Sequence, residues 1–234
     1  FIIILIGTSI CCIIGYSTYN QAVKEKPLLS RIEEITNKEN YTKIDYLSKN
    51  YVNAVIAAED HRFYDHGAID IIGIGRAVFN NIKAKELQEG GSTITQQVAK
   101  NVVFSQEASI SRKLGELFAS FELEKNYSKD EILEGYVNNV YFGHGIYGIE
   151  NAAQYFYGKS AKDLDLNESS MLAGVVNGPT YYSPLNDQEA ARKRQAIVLD
   201  ALIDCHKITN EQKEKVLKSD LNLASEHKVD ENLA

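Results

Sequence analysis

Ala57-Ala58-Glu59-Asp60-His61-Arg62-Phe63-Tyr64-Asp65-His66 decides how this chain is read, because here an apolar helix pattern runs straight into carboxylates, imidazoles and aromatic rings. Just upstream, Leu47, Tyr51, Val52, Val55 and Ile56 recur at the steps of one helix face, which places Glu59 at the end of a buried helix. A carboxylate there feels desolvation and the negative end of the helix dipole. Both favour its protonated form, raise its pKa and suit it to proton transfer near neutral pH. The plainer reading is a solvated Glu-Asp pair closing a helix.

Working outward, 234 residues give room for one sizeable domain with two lobes and extra elements at its ends. The formal charge is -7, and no run of Lys and Arg is long enough to track a phosphate backbone, so nucleic acid is excluded as a partner class. Cys11 and Cys12 lie in an apolar run and Cys205 stands apart, which indicates no disulfide framework. No His or Cys pair stands at zinc-ligand spacing. The chain opens on Phe1 rather than Met, so preceding residues are expected.

Residues 1–19 carry no charge and are rich in Ile, the pattern of an uncleaved transmembrane anchor. Residues 20–44 read as a polar juxtamembrane connector, 45–218 as the globular domain and 219–234 as a polar tail. Ile71, Ile74, Val78 and Ile82 carry a helical pattern, and a polar break follows. Gly90-Gly91-Ser92-Thr93 then turns into a helix with Ile94, Val98 and Val102 as its stripe, and Ser92 or Thr93 is a ready N-cap. Thr93, Gln97 and Lys100 align on another face. A glycine turn opening such a helix is a candidate anion site, because free N–H groups and the dipole both attract negative charge.

Residues 111–126 form the next helix, with Leu114, Leu117, Phe118 and Phe121 expected on its apolar face and Glu116 pointing the other way beside Arg112, Ala119 and Ser120. Arg112 and Glu116 make either a surface pair worth a few tenths of a kcal/mol or one side of a ligand site. Ser128-Lys129-Asp130-Glu131 is a capping box that opens a further helix with Ile132, Leu133, Tyr136, Val137 and Val140. Another helix holds Ile149, Ala152, Ala153 and Phe156. Helices at 167–177 and 187–204 follow, and Thr209 with Gln212 opens a short last one.

In order, Glu59-Asp60 with Phe63 and His66, Gly91-Ser92-Thr93-Ile94-Thr95-Gln96-Gln97 with Lys100 and Asn101, Arg112-Lys113 with Glu116 and Glu124, Tyr136-Val137-Asn138 with Tyr141-Phe142-Gly143, and Leu172-Ala173-Gly174 with Gly178-Pro179 resemble the peptidoglycan glycosyltransferases of glycosyltransferase family 51. The resemblance covers about residues 45–205. It implies a mainly α, lysozyme-like, two-lobed fold with a smaller jaw at about 68–110, preceded by one transmembrane helix. It also implies polymerisation of lipid II on a lipid-linked glycan, with a β-1,4 bond formed by inversion and undecaprenyl diphosphate released. Carried over by position, Glu59 is the general base, and Glu116 acts at the diphosphate end, directly or through a divalent cation (Mg or Mn) that it would hold. Asp60, Phe63, His66, Ser92, Thr93, Gln96, Gln97, Lys100, Asn101, Arg112 and Lys113 are the expected substrate-binding residues. No organic cofactor is implied.

The implied setting is the bacterial cytoplasmic membrane, crossed once, with the catalytic domain on the outer face and other cell-wall synthesis proteins nearby. The chain departs from the family pattern at Ala68, where a glycine is expected, and at Ala108 and Gly115, where many relatives carry a basic residue. Three alternatives stay open: the excised first domain of a bifunctional penicillin-binding protein, a lysozyme-like enzyme that cleaves peptidoglycan, and a catalytically weak membrane-anchored scaffold.

Overall fold

The computed structural model describes residues 2–84, 91–104 and 109–224, with side chains throughout except at 78–84. In chain order the helices are α1 (Ile2–Val23), α2 (Leu28–Thr36), α3 (Lys49–Glu59), α4 (Ile71–Ala84), α5 (Ile94–Val103), α6 (Ile110–Asn126), α7 (Lys129–Val137), α8 (Ile149–Tyr157), α9 (Leu166–Val175), α10 (Gln188–Asp204) and α11 (Asn210–Leu217). No β-strand occurs among the described residues, so the mainly α expectation holds. By packing, the chain divides into two compact units. One comprises Phe1–Lys38 with Arg62–Tyr136, the other Glu39–His61 with Val137–Ala234. The decisive stretch is therefore divided between them after His61.

In the first unit α6 is the central rod, with α1 against one side and α5 against another. Helix α1 is long and apolar enough to cross a membrane, with a mean hydropathy of 1.9 over its best window. Its hydroxyls fit that environment, since Thr8 and Ser9 both donate back to the carbonyl of Leu5. Its second half packs on protein. A Cβ at Gly15 would stand 2.8 Å from the Phe118 ring and 2.9 Å from the Leu114 carbonyl, so only glycine permits this close crossing. Tyr16 meets Phe118 edge-on at 5.7 Å, and the hydroxyl of buried Tyr19 donates to Glu122.

Several expectations are corrected here. The 20–44 connector contains α2, which buries Leu28, Ile32 and Ile35, and α1 continues to Val23 rather than ending at residue 19. On α6 the buried positions are Gly115, Glu116, Ala119, Ser120 and Leu123, while Phe121 is exposed. The face expected to form the core lies partly against α1, and the Glu116 face is the interior one. On α5, Ile94 and Val98 are buried as expected, with Val103 rather than Val102 completing the stripe. On α4, Ile71, Ile72 and Ile74 are exposed. The Ala108 departure lies outside the described residues, as do residues 85–90 and 105–108 of the expected jaw and 225–234 of the expected tail.

In the second unit α3, α9 and α10 pack on one another, with α11 against α9 and α10. Tyr51, Val55, Leu172, Val175, Val198, Leu199 and Leu202 form the core. Helix α9 is buried at nearly every position, and its Asp165–Glu168 capping box satisfies two free donors at its start. Gly148 opens α8 at φ 82°, where a Cβ would stand 2.9 Å from the Asn138 carbonyl. The Asn138 amide in turn bridges the backbone N–H and C=O of Thr42. Ile149, Ala152, Ala153 and Phe156 are buried along α8, as their spacing predicts.

Candidate functional site

Helix α5 starts where the sequence places it, with Thr93 as N-cap. The Thr93 hydroxyl accepts from the Gln96 backbone N–H while the Gln96 side chain accepts from that of Thr93, a reciprocal capping box. The same hydroxyl donates to the Ala68 carbonyl at 3.1 Å. Thr93 and Gln96 are thus both buried and engaged in holding the glycine turn. Their neighbour Ser92 is half-buried and is the residue of this turn that faces a charge.

That charge is Lys113 on α6. Its Nζ lies 2.8 Å from Ser92 Oγ and 2.8 Å from Glu116 Oε2. Arg112 approaches the other oxygen, with Nε 3.3 Å from Glu116 Oε1. Glu116 is completely buried, whereas the Lys113 side chain is 48 % exposed and that of Arg112 16 %. The surface-pair reading of Arg112 and Glu116 is therefore excluded. A buried carboxylate is tolerated only when paired. Here it meets two cations, Arg112 and Lys113. Of the two, Lys113 is the more exposed and stands beside the Ser92 turn, where an anion could reach it.

This donor set does not suit a divalent ion. Both Glu116 oxygens already face a fixed cation, and a metal there would stand against Lys113 and Arg112. No chemical step is therefore assigned to a metal at this carboxylate.

A second cluster ties α5 to α6 and α7. Thr95 Oγ1 donates to Glu124 Oε1, Lys129 Nζ lies 2.7 Å from the same oxygen, and that ammonium stands 4.4 Å from the centre of the Phe63 ring. Phe63 is fully buried, so its place is in the core of the unit. Its ring also meets those of Tyr64 and His66 edge-on. His66 is half-buried, with Nδ1 2.7 Å from the Gly67 carbonyl oxygen. Gln97, Lys100 and Asn101 follow along α5, all half-buried.

Glu59 and Asp60 belong to the other unit. Glu59 is the last residue of α3 and half-buried, and Asp60 closes the helix with its backbone N–H donating to the Ile56 carbonyl. Tyr51, two turns upstream, is fully buried. Burial first, and the negative charge of Glu59 second, push its hydroxyl pKa far above the ordinary phenol value. The structure therefore brings together Ser92, Arg112, Lys113 and Glu116, uses Thr93 and Gln96 to cap the helix that follows Ser92, sets Phe63 against Lys129, Tyr64 and His66, and gives Glu59 and Asp60 their places at the end of α3.

Comparison with known proteins adds family relationships. A family model described as Transglycosylase matches residues 25–203. Penicillin-binding protein 1A of Neisseria flavescens is 44 % identical over 185 residues, covering 79 % of this chain and 23 % of that protein. Penicillin-binding protein 4 of Bacillus subtilis is 37 % identical over 200 residues, covering 85 % of this chain and 32 % of the relative. The chain thus spans about a quarter to a third of the length of these relatives. A crystal structure of penicillin-binding protein 1A from Haemophilus influenzae aligns with a TM-score of 0.47 at 20 % identity, over 79 % of this chain and 18 % of that one.

Proposed function

The chain belongs to the transglycosylase family, and from that premise we propose that it is a peptidoglycan glycosyltransferase, which extends a lipid-linked glycan with the disaccharide of lipid II. The 4-hydroxyl of the acceptor sugar loses its proton to the Glu59 carboxylate as its oxygen bonds to the donor's anomeric carbon. The bond from that carbon to the diphosphate breaks, its electron pair leaves with undecaprenyl diphosphate, and the configuration inverts. A base is needed because a sugar hydroxyl is a weak nucleophile until its proton is being removed. Cations are needed because charge accumulates on the departing diphosphate.

The observation that carries this reading is the pairing of one fully buried carboxylate, Glu116, with two cations, one of them half-exposed beside the Ser92 hydroxyl. Lys113 and Arg112 are assigned to the diphosphate, with Lys100 on the preceding helix. Glu116 is assigned to holding both α6 cations in place. The apolar α1 is assigned to crossing the bacterial cytoplasmic membrane, with the catalytic part on the outer face, and the exposed isoleucines of α4 to contact with lipid.

The test is a gel-based polymerisation assay with labelled lipid II and the full chain in detergent. A ladder of glycans that vanishes in Glu59→Gln is expected. A folded wild-type protein that makes no glycan overturns the proposal, and cleavage of finished peptidoglycan would replace it with the lytic reading.

A further inference from the structure

Arg31, on α2, joins three backbone carbonyls that otherwise have no reason to stand together. Its Nη2 donates to Ala22 at 2.9 Å, its Nε to Lys26 at 3.0 Å and its Nη1 to Val102 at 3.1 Å. Ala22 lies in the last turn of α1 and Val102 in the last turn of α5. The last four carbonyls of a helix lack partners within it, and the negative end of the dipole favours a cation there. One half-buried guanidinium thus closes the C-terminal ends of two helices and the link between α1 and α2. A lysine could not replace it, because three carbonyls in different directions require a planar fork rather than a point charge.

We infer that Arg31 is a positioning residue, which fixes the last turn of α5, and with it Lys100 and Asn101, to the end of the N-terminal apolar helix. A second contact points the same way. The backbone N–H of Phe104 donates to the Lys100 carbonyl and ends α5. The Phe104 ring then sits where a Cβ on Gly115 would be only 3.0 Å from it, beside Thr18 of α1. The last turn of α5 is therefore held from the α2 side by Arg31 and from the α6 side through Phe104, and α1 takes part in both contacts. The N-terminal helix is in this way part of the support of a substrate-binding turn. The functional consequence rests on the proposed role of Lys100 at a diphosphate.

Two readouts on the full chain in detergent test this, with Arg31→Ala, Arg31→Lys and Arg31→Ala supplied with guanidinium ion. Amide hydrogen exchange does not depend on the functional reading. Exchange should quicken about tenfold in Arg31→Ala and Arg31→Lys at the ends of α1 and α5, with α6 and α7 unchanged, and guanidinium should restore the Ala variant. In polymerisation, kcat with labelled lipid II should fall about fivefold with KM within about twofold, the signature of an interaction made in the transition state, and guanidinium should restore it in the Ala variant. Uniformly faster exchange across the unit, unchanged exchange, or wild-type behaviour in Arg31→Lys would overturn the inference. If the wild-type protein makes no glycan, only the functional reading falls, and exchange still decides the role of Arg31.

Discussion

Each unit buries a glutamate against a partly exposed lysine, but in different company. In the second unit Arg192 spends its donors on its own fold, with Nη1 reaching the side-chain oxygens of Asn167 and Gln195 and the Val216 carbonyl, and Nη2 reaching the Ser219 carbonyl. The amide of fully buried Gln195 donates to the Asn167 carbonyl, Asn167 Oδ1 and Ser170 Oγ. Glu168, at 1 % exposure, is paired with Lys159. In the first unit, Glu116 meets two cations and one of them reaches the surface. Both lysines reach the surface, but Lys159 meets its glutamate beside a network of amides that bond one another, whereas Lys113 shares its glutamate with Arg112 and stands beside the Ser92 hydroxyl. Burial of polar residues therefore does not mark a site by itself.

The sharpest way to break this contrast is to remove the buried carboxylate that holds the cations. Glu116→Gln keeps the shape but frees Lys113 and Arg112, and turnover with labelled lipid II should fall about 100-fold. A near-normal rate in the folded variant would make this cluster as structural as the other. The complementary change is Gln195→Leu, which leaves Arg192 and Asn167 without their partner. Urea unfolding should show a loss of about 2–3 kcal/mol, while turnover per folded molecule stays at the wild-type level. A large fall in turnover at full folding would show that the closed network also serves the reaction.

A smaller effect separates lost charge from altered packing at Gly115. A Cβ there would stand 3.0 and 3.1 Å from the Phe104 ring and 3.2 Å from Thr18 Cγ2. Alanine gains up to about 1 kcal/mol in helix propensity, but crowding of this kind costs about 1–3 kcal/mol. Gly115→Ala should thus lose about 1 kcal/mol in thermal or urea unfolding. Gly115→Lys should not raise turnover, because the space for a long side chain is taken by Phe104 and α1. A more active, equally stable Lys variant would show that the charge alone is missing.

Much of this was legible in the chain. The Thr93, Ser128 and Thr209 capping boxes form as their residue types and spacing predict, because caps are local. Helix α2 is harder to read: Leu28, Ile32 and Ile35 stand at helical spacing, but charged neighbours mask the stripe. The orientation of α6 is not legible in its apolar pattern, because two helices pack on it and a paired glutamate can be buried where an aromatic residue is left exposed. The partnership of Thr95, Glu124 and Lys129, and the reach of Arg31 to Val102, join residues far apart in sequence. Local periodicity carries no signal for such contacts.

Asp70 gives the finest test, since it is a buried carboxylate in the same unit as Glu116 but held differently. Arg62 Nε stands 3.4 Å from its Oδ2, and the backbone N–H of Ile72 donates to its Oδ1 at the start of α4. Burial alone would raise its pKa. The backbone N–H of Gly73, the positive charges of Arg62 and His66 and the N–H of Ile72 together outweigh that and hold it below the ordinary aspartate value. A carboxyl depressed in the folded state stabilises the protein above its unfolded pKa of about 3.9. That stabilisation is lost as pH falls from there through the lower folded value. Urea midpoints followed from pH 6 down to about 3 should therefore fall more steeply for the wild type than for Asp70→Asn, by less than about 1 kcal/mol, with turnover at neutral pH retained in the variant. Parallel curves would show that Asp70 is not coupled to folding. The expected result would tie Asp70, fixed by backbone N–H groups and Arg62, to the fold, and leave Glu116, which faces the side chains of Arg112 and Lys113, for the activity assay to assign.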